Sequence, residues 1–169
     1  MGLVVVTGIG PRVGTSFVMN EARKAGLPIV GEKFLDEWVV PKHNPDGYWE
    51  VEPKTVMKHL EKGTWDNHIV KLWGVFVEAA DISRIVVLER RDKKKQLNSI
   101  AKVMWDELQL NNLRHVETSP EEFMDVSIMY MNNTVSNIPD DIKMHVYSED
   151  INEELENILT FMKGGLSWV

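Results

Sequence analysis

The sequence predicts an α/β fold: three layers, α/β/α, around a central, mostly parallel sheet of about five strands. Three observations carry this. Five short β-rich runs of four to six residues recur along the chain: Leu3–Thr7, Pro28–Gly31, Ile69–Trp73, Arg84–Glu89 and Lys143–Tyr147. Longer stretches with helical spacing lie between them, and that alternation implies βαβ units and a sheet buried on both faces. The chain has 169 residues, 43% of them hydrophobic and 27% charged. This suits one domain over 1–169, whose core buries roughly 70% of the unfolded surface.

Each element has a local reason. Leu3–Thr7 is a short apolar run entering a glycine-rich turn, and residues about 15–25 read as the helix that follows. Pro28–Gly31 reads as a second strand, ending at Glu32. The segment 33–65 breaks the rhythm with Pro41, Asn44, Pro45, Asp46, Gly47 and Pro53, all loop makers, before a short helix near 54–62. It reads as an irregular excursion over one edge of the sheet. Ile69–Trp73 is the third strand, and Gly74–Ala80 can form a short helix. Arg84–Glu89 is the clearest buried strand, with four consecutive apolar residues. A charged, then amphipathic, helix covers about 92–109. Ser119 as cap, Pro120 at the first helical position and Glu121 and Glu122 in the first turn start another, running to about 135. Within it, Met124, Ile128, Met129, Tyr130 and Met131 read as ordinary packing residues. Lys143–Tyr147 is the last strand, and a helix over about 151–163 stops at Gly164-Gly165. No repeat, linker or low-complexity tract is visible.

Composition excludes several classes. There is no Cys, so disulfides, thiolate metal sites and a thiol nucleophile are absent. Net charge is −7, against general nucleic-acid binding. One segment departs from this: Arg84–Lys102 holds seven basic residues against two acidic ones, a local +5 that leaves −12 for the remainder. Much of that, Lys93–Lys95 especially, reads as a solvated helix face. No targeting or membrane-spanning segment is visible, so a cytoplasmic location is expected. His43, His59, His68, His115 and His145 are scattered without metal-ligand spacing, and no metal is expected.

Ligands of open α/β sheets bind beyond the carboxyl ends of the strands. That directs attention to Gly8–Ser16, Glu32 and Lys33, Lys71–Gly74, Arg90 and Arg91, and Ser148. His68, at a strand start, lies at the other edge and reads as structural. The first turn is Gly8-Ile9-Gly10-Pro11-Arg12-Val13-Gly14-Thr15-Ser16. Following a strand and opening a helix, it has the context of a phosphate cradle, where glycines admit close approach and helix N–H groups attract an anion. It departs from the Walker A pattern: Ile9 stands at the first glycine and Thr15 at the lysine.

Pro11-Arg12-Val13-Gly14-Thr15-Ser16 resembles the 5′-phosphosulfate loop of sulfotransferases that use 3′-phosphoadenylyl sulfate (PAPS). That family's second fingerprint is an Arg leaving a later strand and a Ser eight residues on. Arg91 and Ser99 have that spacing here, with Asp92 after the Arg as is frequent in the family and Lys93 where Pro is common. Arg90 is a rival to Arg91. The resemblance covers about residues 3–32 and 68–100.

The resemblance implies a P-loop-like fold and binding of PAPS or its product adenosine 3′,5′-diphosphate. Gly10, Arg12, Gly14, Thr15 and Ser16 would take the 5′-phosphosulfate end, and Arg91 and Ser99 the 3′-phosphate. It also implies transfer of a sulfuryl group to an acceptor hydroxyl or amine. Arg12 and Lys71 would stabilise the charge that builds toward the leaving diphosphate. Glu32, in Val30-Gly31-Glu32, matches the first Glu of a Gly-Glu-Glu stretch that supplies the base in tyrosylprotein-type members, and Lys33 stands where the catalytic second Glu would be. Asn44–Glu50, with Tyr48 and Trp49, is the candidate acceptor contact, or else a turn packing two aromatics on the sheet. Lys163-Gly164-Gly165 with Trp168 is faintly similar to a C-terminal phosphate motif of cytosolic members, and otherwise a helix stop. A nucleotide or nucleoside kinase and a non-catalytic nucleotide-binding or interaction module stay open as alternatives.

Overall fold

A computed structural model describes residues 2–31, 53–110 and 118–167. Four strands form one parallel sheet: β1 (Leu3–Gly8), β2 (Ile69–Lys71), β3 (Ile82–Glu89) and β4 (Lys143–Tyr147), in the order β2-β1-β3-β4. The helices are α1 (Thr15–Lys24), α2 (Pro53–Glu61), α3 (Val75–Glu78), α4 (Lys93–Leu110), α5 (Pro120–Ser136) and α6 (Ile151–Gly164). Single 3-10 turns occupy Asp140–Ile142 and Ser148–Asp150. No described helix is long and apolar enough to cross a membrane.

β1 is buried along its whole length because both its faces are covered. Val4 and Val6 point to one side, where they meet Val18, Met19 and Ala22 of α1 and Ile158 and Met162 of α6. Leu3 and Val5 point to the other, with Val70, Leu72, Ile85, Val87 and, from α5, Met131 and Val135. The period of two along the strand thus sorts residues into two cores, one on each face. α4 packs against α5.

The expected fifth strand, Pro28–Gly31, is a correction. Only Ile29 bridges to β2, through Val30 N–H to the Ile69 carbonyl and Ile69 N–H to the Pro28 carbonyl, each 2.8 Å. Pro28 has no N–H to extend a ladder, and Gly31 (φ 109°) turns the chain out of it. The sheet therefore has four strands among the described residues, and the Ile29 bridge marks where the chain runs beside β2.

Other boundaries move for identifiable reasons. β2 stops at Lys71 because Gly74, at φ 52°, starts the turn into α3. β3 begins two residues before Arg84. Arg84 is tolerated within the strand because it donates to the Phe161 carbonyl of α6 at 2.8 Å and lies over the Phe161 ring. Gly164 and Gly165 accommodate the same side chain: an added Cβ at Gly164 would come within 2.6 Å of Arg84 Nη1. On α5 the packing reading divides. Met124 and Met131 are buried, while Met129 is 62% exposed and Tyr130 leans over Gly74 at the surface.

The chain leaves β1 through α1, passes the Ile29 edge, returns to β2, and then crosses to β3 on the opposite side of β1. Strand order reverses about β1, so the carboxyl ends of β1 and β3 frame a topological switch point.

Candidate functional site

At that switch point lies the glycine-rich turn, with Gly8, Ile9, Gly10 and Val13 buried and Pro11, Arg12 and Gly14 half-buried. Ile9 N–H still bonds the Leu88 carbonyl at 2.7 Å, and its side chain is buried, which anchors the turn to β3. Beyond it, alternate residues take left-handed conformations: Gly10 at φ 79°, Arg12 at 64° and Gly14 at 97°. Alternation of this kind makes an anion-binding concavity of N–H groups. Arg12 and Asn67 are the only non-glycine residues at positive φ among those described, and for Arg12 this costs about 1–3 kcal/mol of local strain. Gly14 caps α1 with no side-chain hydrogen bond, and no acid stands in the helix's first turn. The positive end of the α1 dipole therefore faces the turn with no acidic residue of its own first turn to neutralise it. Thr15 and Ser16 are buried behind it.

The first turns of α4 close the site from the β3 side. Arg12 Nε donates to Ser99 Oγ at 3.0 Å, joining residues 87 apart in sequence. One helical turn before Ser99, the fully buried Gln96 donates from Nε2 to the Pro11 carbonyl at 2.7 Å and to the Ile9 carbonyl at 3.4 Å. Asp92 caps α4 by accepting from Lys95 N–H at 2.8 Å. Ser148, just past β4, contacts the Val13 carbonyl and, at 3.0 Å, the Glu89 carbonyl, tying the turn to the end of β3.

Arg91 points elsewhere. Its guanidinium forms a bidentate pair with Asp150, at 2.9 and 2.7 Å, and stacks on Tyr147 at 4.0 Å. The hydrogen bond to Asp150 holds the guanidinium pKa above its ordinary value. Arg91 and Asp92 N–H groups each donate at 3.2 Å to the two oxygens of Glu149. Burial opposes ionisation of Glu149, but those backbone bonds and the charge of Arg90 outweigh it, and its pKa falls below the usual glutamate value. A second cluster lies beside it, where Glu89 accepts from Lys93 at 3.0 Å and pairs with His145 at 3.1 Å.

Of the residues singled out from sequence, Gly10, Arg12, Gly14, Thr15, Ser16 and Ser99 converge on the turn. Arg91 is at the same sheet edge but hydrogen-bonded to Asp150 rather than Ser99. Lys71 ends β2 on the sheet face that α1 covers; it is buried, with Nζ 5.8 Å from the Trp73 ring centroid. Glu32, Lys33, the Asn44–Glu50 loop and Trp168 lie outside the described residues. His68, bonded through Nδ1 to the Asp66 carbonyl, precedes β2 at the opposite edge. Lys94 and Lys95 are exposed.

Sequence reasoning did not single out Gln96, Tyr147, Glu149 and Asp150. Gln96 precedes Ser99 by three residues, which puts both on one helix face. Glu149 and Asp150 follow Ser148 directly, within reach of the same strand-end argument. A groove of about 310 Å³ lined by Glu78, Ile82, Thr134 and Ile142 lies at the amino ends of β3 and β4, away from the turn. No group of three metal-ligating side chains occurs among the described residues. The chain matches no protein-family model, and no curated protein is significantly similar to it.

Proposed function

We propose that the chain is a sulfotransferase-like protein on a P-loop-like fold, which binds PAPS and transfers its sulfuryl group to an acceptor hydroxyl or amine. The observation that carries the reading is the Arg12 Nε to Ser99 Oγ contact at 3.0 Å. It joins the glycine-rich turn to the Arg–x7–Ser segment, the two stretches that together carry the resemblance to PAPS-dependent enzymes.

The donor set suits the anionic ends of such a cofactor. The alternating left-handed backbone of residues 10–14 and the α1 N-terminus, which has no side-chain cap, offer N–H groups to a 5′-phosphosulfate. Ser99 and, once turned from Asp150, Arg91 would hold the 3′-phosphate. When bound, the cofactor supplies an activated sulfuryl group and a diphosphate leaving group. Arg12 and Lys71 would stabilise charge developing toward that leaving group, and fixed donors of this kind act most strongly where water is excluded. Glu32 is the proposed base for the acceptor proton, a role worth about 10²–10⁴-fold. Thr15 in place of the Walker lysine weighs against a kinase.

One observation favours a second reading, a binding module without transfer: Arg91 is already committed to Asp150 and Tyr147. A thermal-shift panel separates the readings. Adenosine 3′,5′-diphosphate should raise the melting temperature, ATP with Mg²⁺ should not, and Arg12→Ala should abolish the shift. The opposite pattern of ligands would sink the sulfotransferase proposal. Sulfated product from PAPS, lost in Glu32→Gln, distinguishes transfer from binding alone.

A further inference from the structure

We infer that Gln96 is a positioning residue, whose side-chain amide turns two N–H groups of the glycine-rich loop, those of Gly10 and Arg12, toward a bound anion. The inference rests on the phosphate-binding reading above and deepens it. Gln96 is fully buried, and both its hydrogen bonds come from one end of the amide: Nε2 donates to the carbonyls of Ile9 and Pro11 at 3.4 and 2.7 Å. The other end, Oε1, is buried without a hydrogen-bond partner. Flipping the amide would set an oxygen against two carbonyl oxygens, so the loop alone fixes its orientation. A side chain that only filled this space would be apolar. This one leaves a carbonyl unsatisfied inside the protein, and the satisfied end is the end that meets the loop.

The consequence follows from peptide geometry. In a planar trans peptide the C=O and N–H point in opposite directions, and no cis bond occurs in the described chain. The Ile9 carbonyl shares its peptide with Gly10 N–H, and the Pro11 carbonyl shares its peptide with Arg12 N–H. Drawing both carbonyls toward α4 therefore aims both N–H groups away from α4. Pro11 between them contributes no competing N–H. Gly10 is needed for the same fit: a Cβ there would meet Gln96 Nε2 at 3.1 Å and Ile128 Cγ1 at 2.9 Å. Ser99, one turn later, holds the Arg12 side chain, so α4 grips both backbone and side chain of the turn.

Gln96→Met tests this, because it keeps the shape, removes the donor and also removes the unsatisfied carbonyl. Its melting temperature without ligand should change only slightly, since one buried unsatisfied carbonyl is removed while those of Ile9 and Pro11 lose their donor. Its affinity for inorganic pyrophosphate and for adenosine 3′,5′-diphosphate, by calorimetry, should fall about tenfold, with amide resonances of Gly10 and Arg12 displaced. Wild-type affinity with those resonances unmoved would overturn the inference. In the wild-type chain, pyrophosphate should shift the Gly10 and Arg12 amides most; shifts elsewhere that spare these two would overturn it without any variant. If the wild type binds pyrophosphate through these two amides but not adenosine 3′,5′-diphosphate, the sulfotransferase proposal fails and the positioning role of Gln96 stands; if it binds neither probe, both fail.

Discussion

Arg91 donates to both oxygens of Asp150, lies over Tyr147, and presents its own N–H together with that of Asp92 to Glu149. Two carboxylates thus do for this corner what phosphate oxygens would do: they satisfy a guanidinium and two N–H groups at the start of a helix. A phosphate bound at this corner would have to displace them. Asp150→Asn combined with Glu149→Gln should therefore raise affinity for adenosine 3′,5′-diphosphate severalfold and leave adenosine 5′-monophosphate unchanged, since only the former carries a 3′-phosphate. An unaltered ratio of the two affinities would remove Arg91 from the ligand site. The same contacts give a pH dependence. The pKa of Glu149 is lowered in the folded chain, so its contribution is complete above the ordinary value of 4.5 and is lost as pH falls through the depressed one. Melting curves of wild type and Glu149→Gln should converge toward acid pH, and parallel curves from pH 7 to 3 would contradict the assignment. Arg12 and Ser99 were legible in the sequence because each belongs to a spaced motif beside a strand end. Glu149 and Asp150 were not, because their partners lie more than fifty residues away and no local period reports such a meeting.

Among the elements, those with local causes are legible in the sequence. α5 was placed from Ser119, Pro120, Glu121 and Glu122, and Ser119 Oγ does accept from Glu122 N–H at 3.1 Å. Ser119→Ala should cost about 1 kcal/mol, a fall of roughly 2–4 °C in melting temperature for a chain of this size. No measurable change would mean the α5 terminus is held by packing instead. α1 begins in the opposite way, on Gly14 at φ 97° with Ile151 Cδ1 2.8 Å from any added Cβ. Gly14→Ala should therefore destabilise by about 1–3 kcal/mol, against the usual gain when a glycine is replaced. The elements that differ from the expectation have tertiary causes. Pro28–Gly31 has the composition of a strand but meets β2 only at Ile29, and β3 runs back to Ile82 because α6 offers Arg84 a carbonyl and a ring. Neither partner is visible in a window of ten residues.

Across the whole molecule the sheet separates two apolar clusters. Ile158 is fully buried on the side of α1 and α6, and Ile85 is fully buried on the side of α5. No cluster contains both, so the strands act as a partition, with α1 and α6 on one side and α3 and α5 on the other. This makes a testable distinction between two halves that are stable separately and one body that melts together. Ile85→Val and Ile158→Val should each cost about 0.5–1.5 kcal/mol. Because they share no packing partner across the sheet, the double variant should equal their sum within about 0.3–0.5 kcal/mol. Both should nevertheless shift one transition, read identically by tryptophan fluorescence and by far-ultraviolet circular dichroism, if 1–169 folds as the single domain its length suggests. Two separable transitions, one moved by each substitution, would show that the clusters unfold independently. The turn at residues 8–14 would then sit at the seam between them, since Val13 belongs to the α1 side and Ile9 to the α5 side. Its geometry would depend on both halves, and ligand-induced stabilisation should raise both transitions.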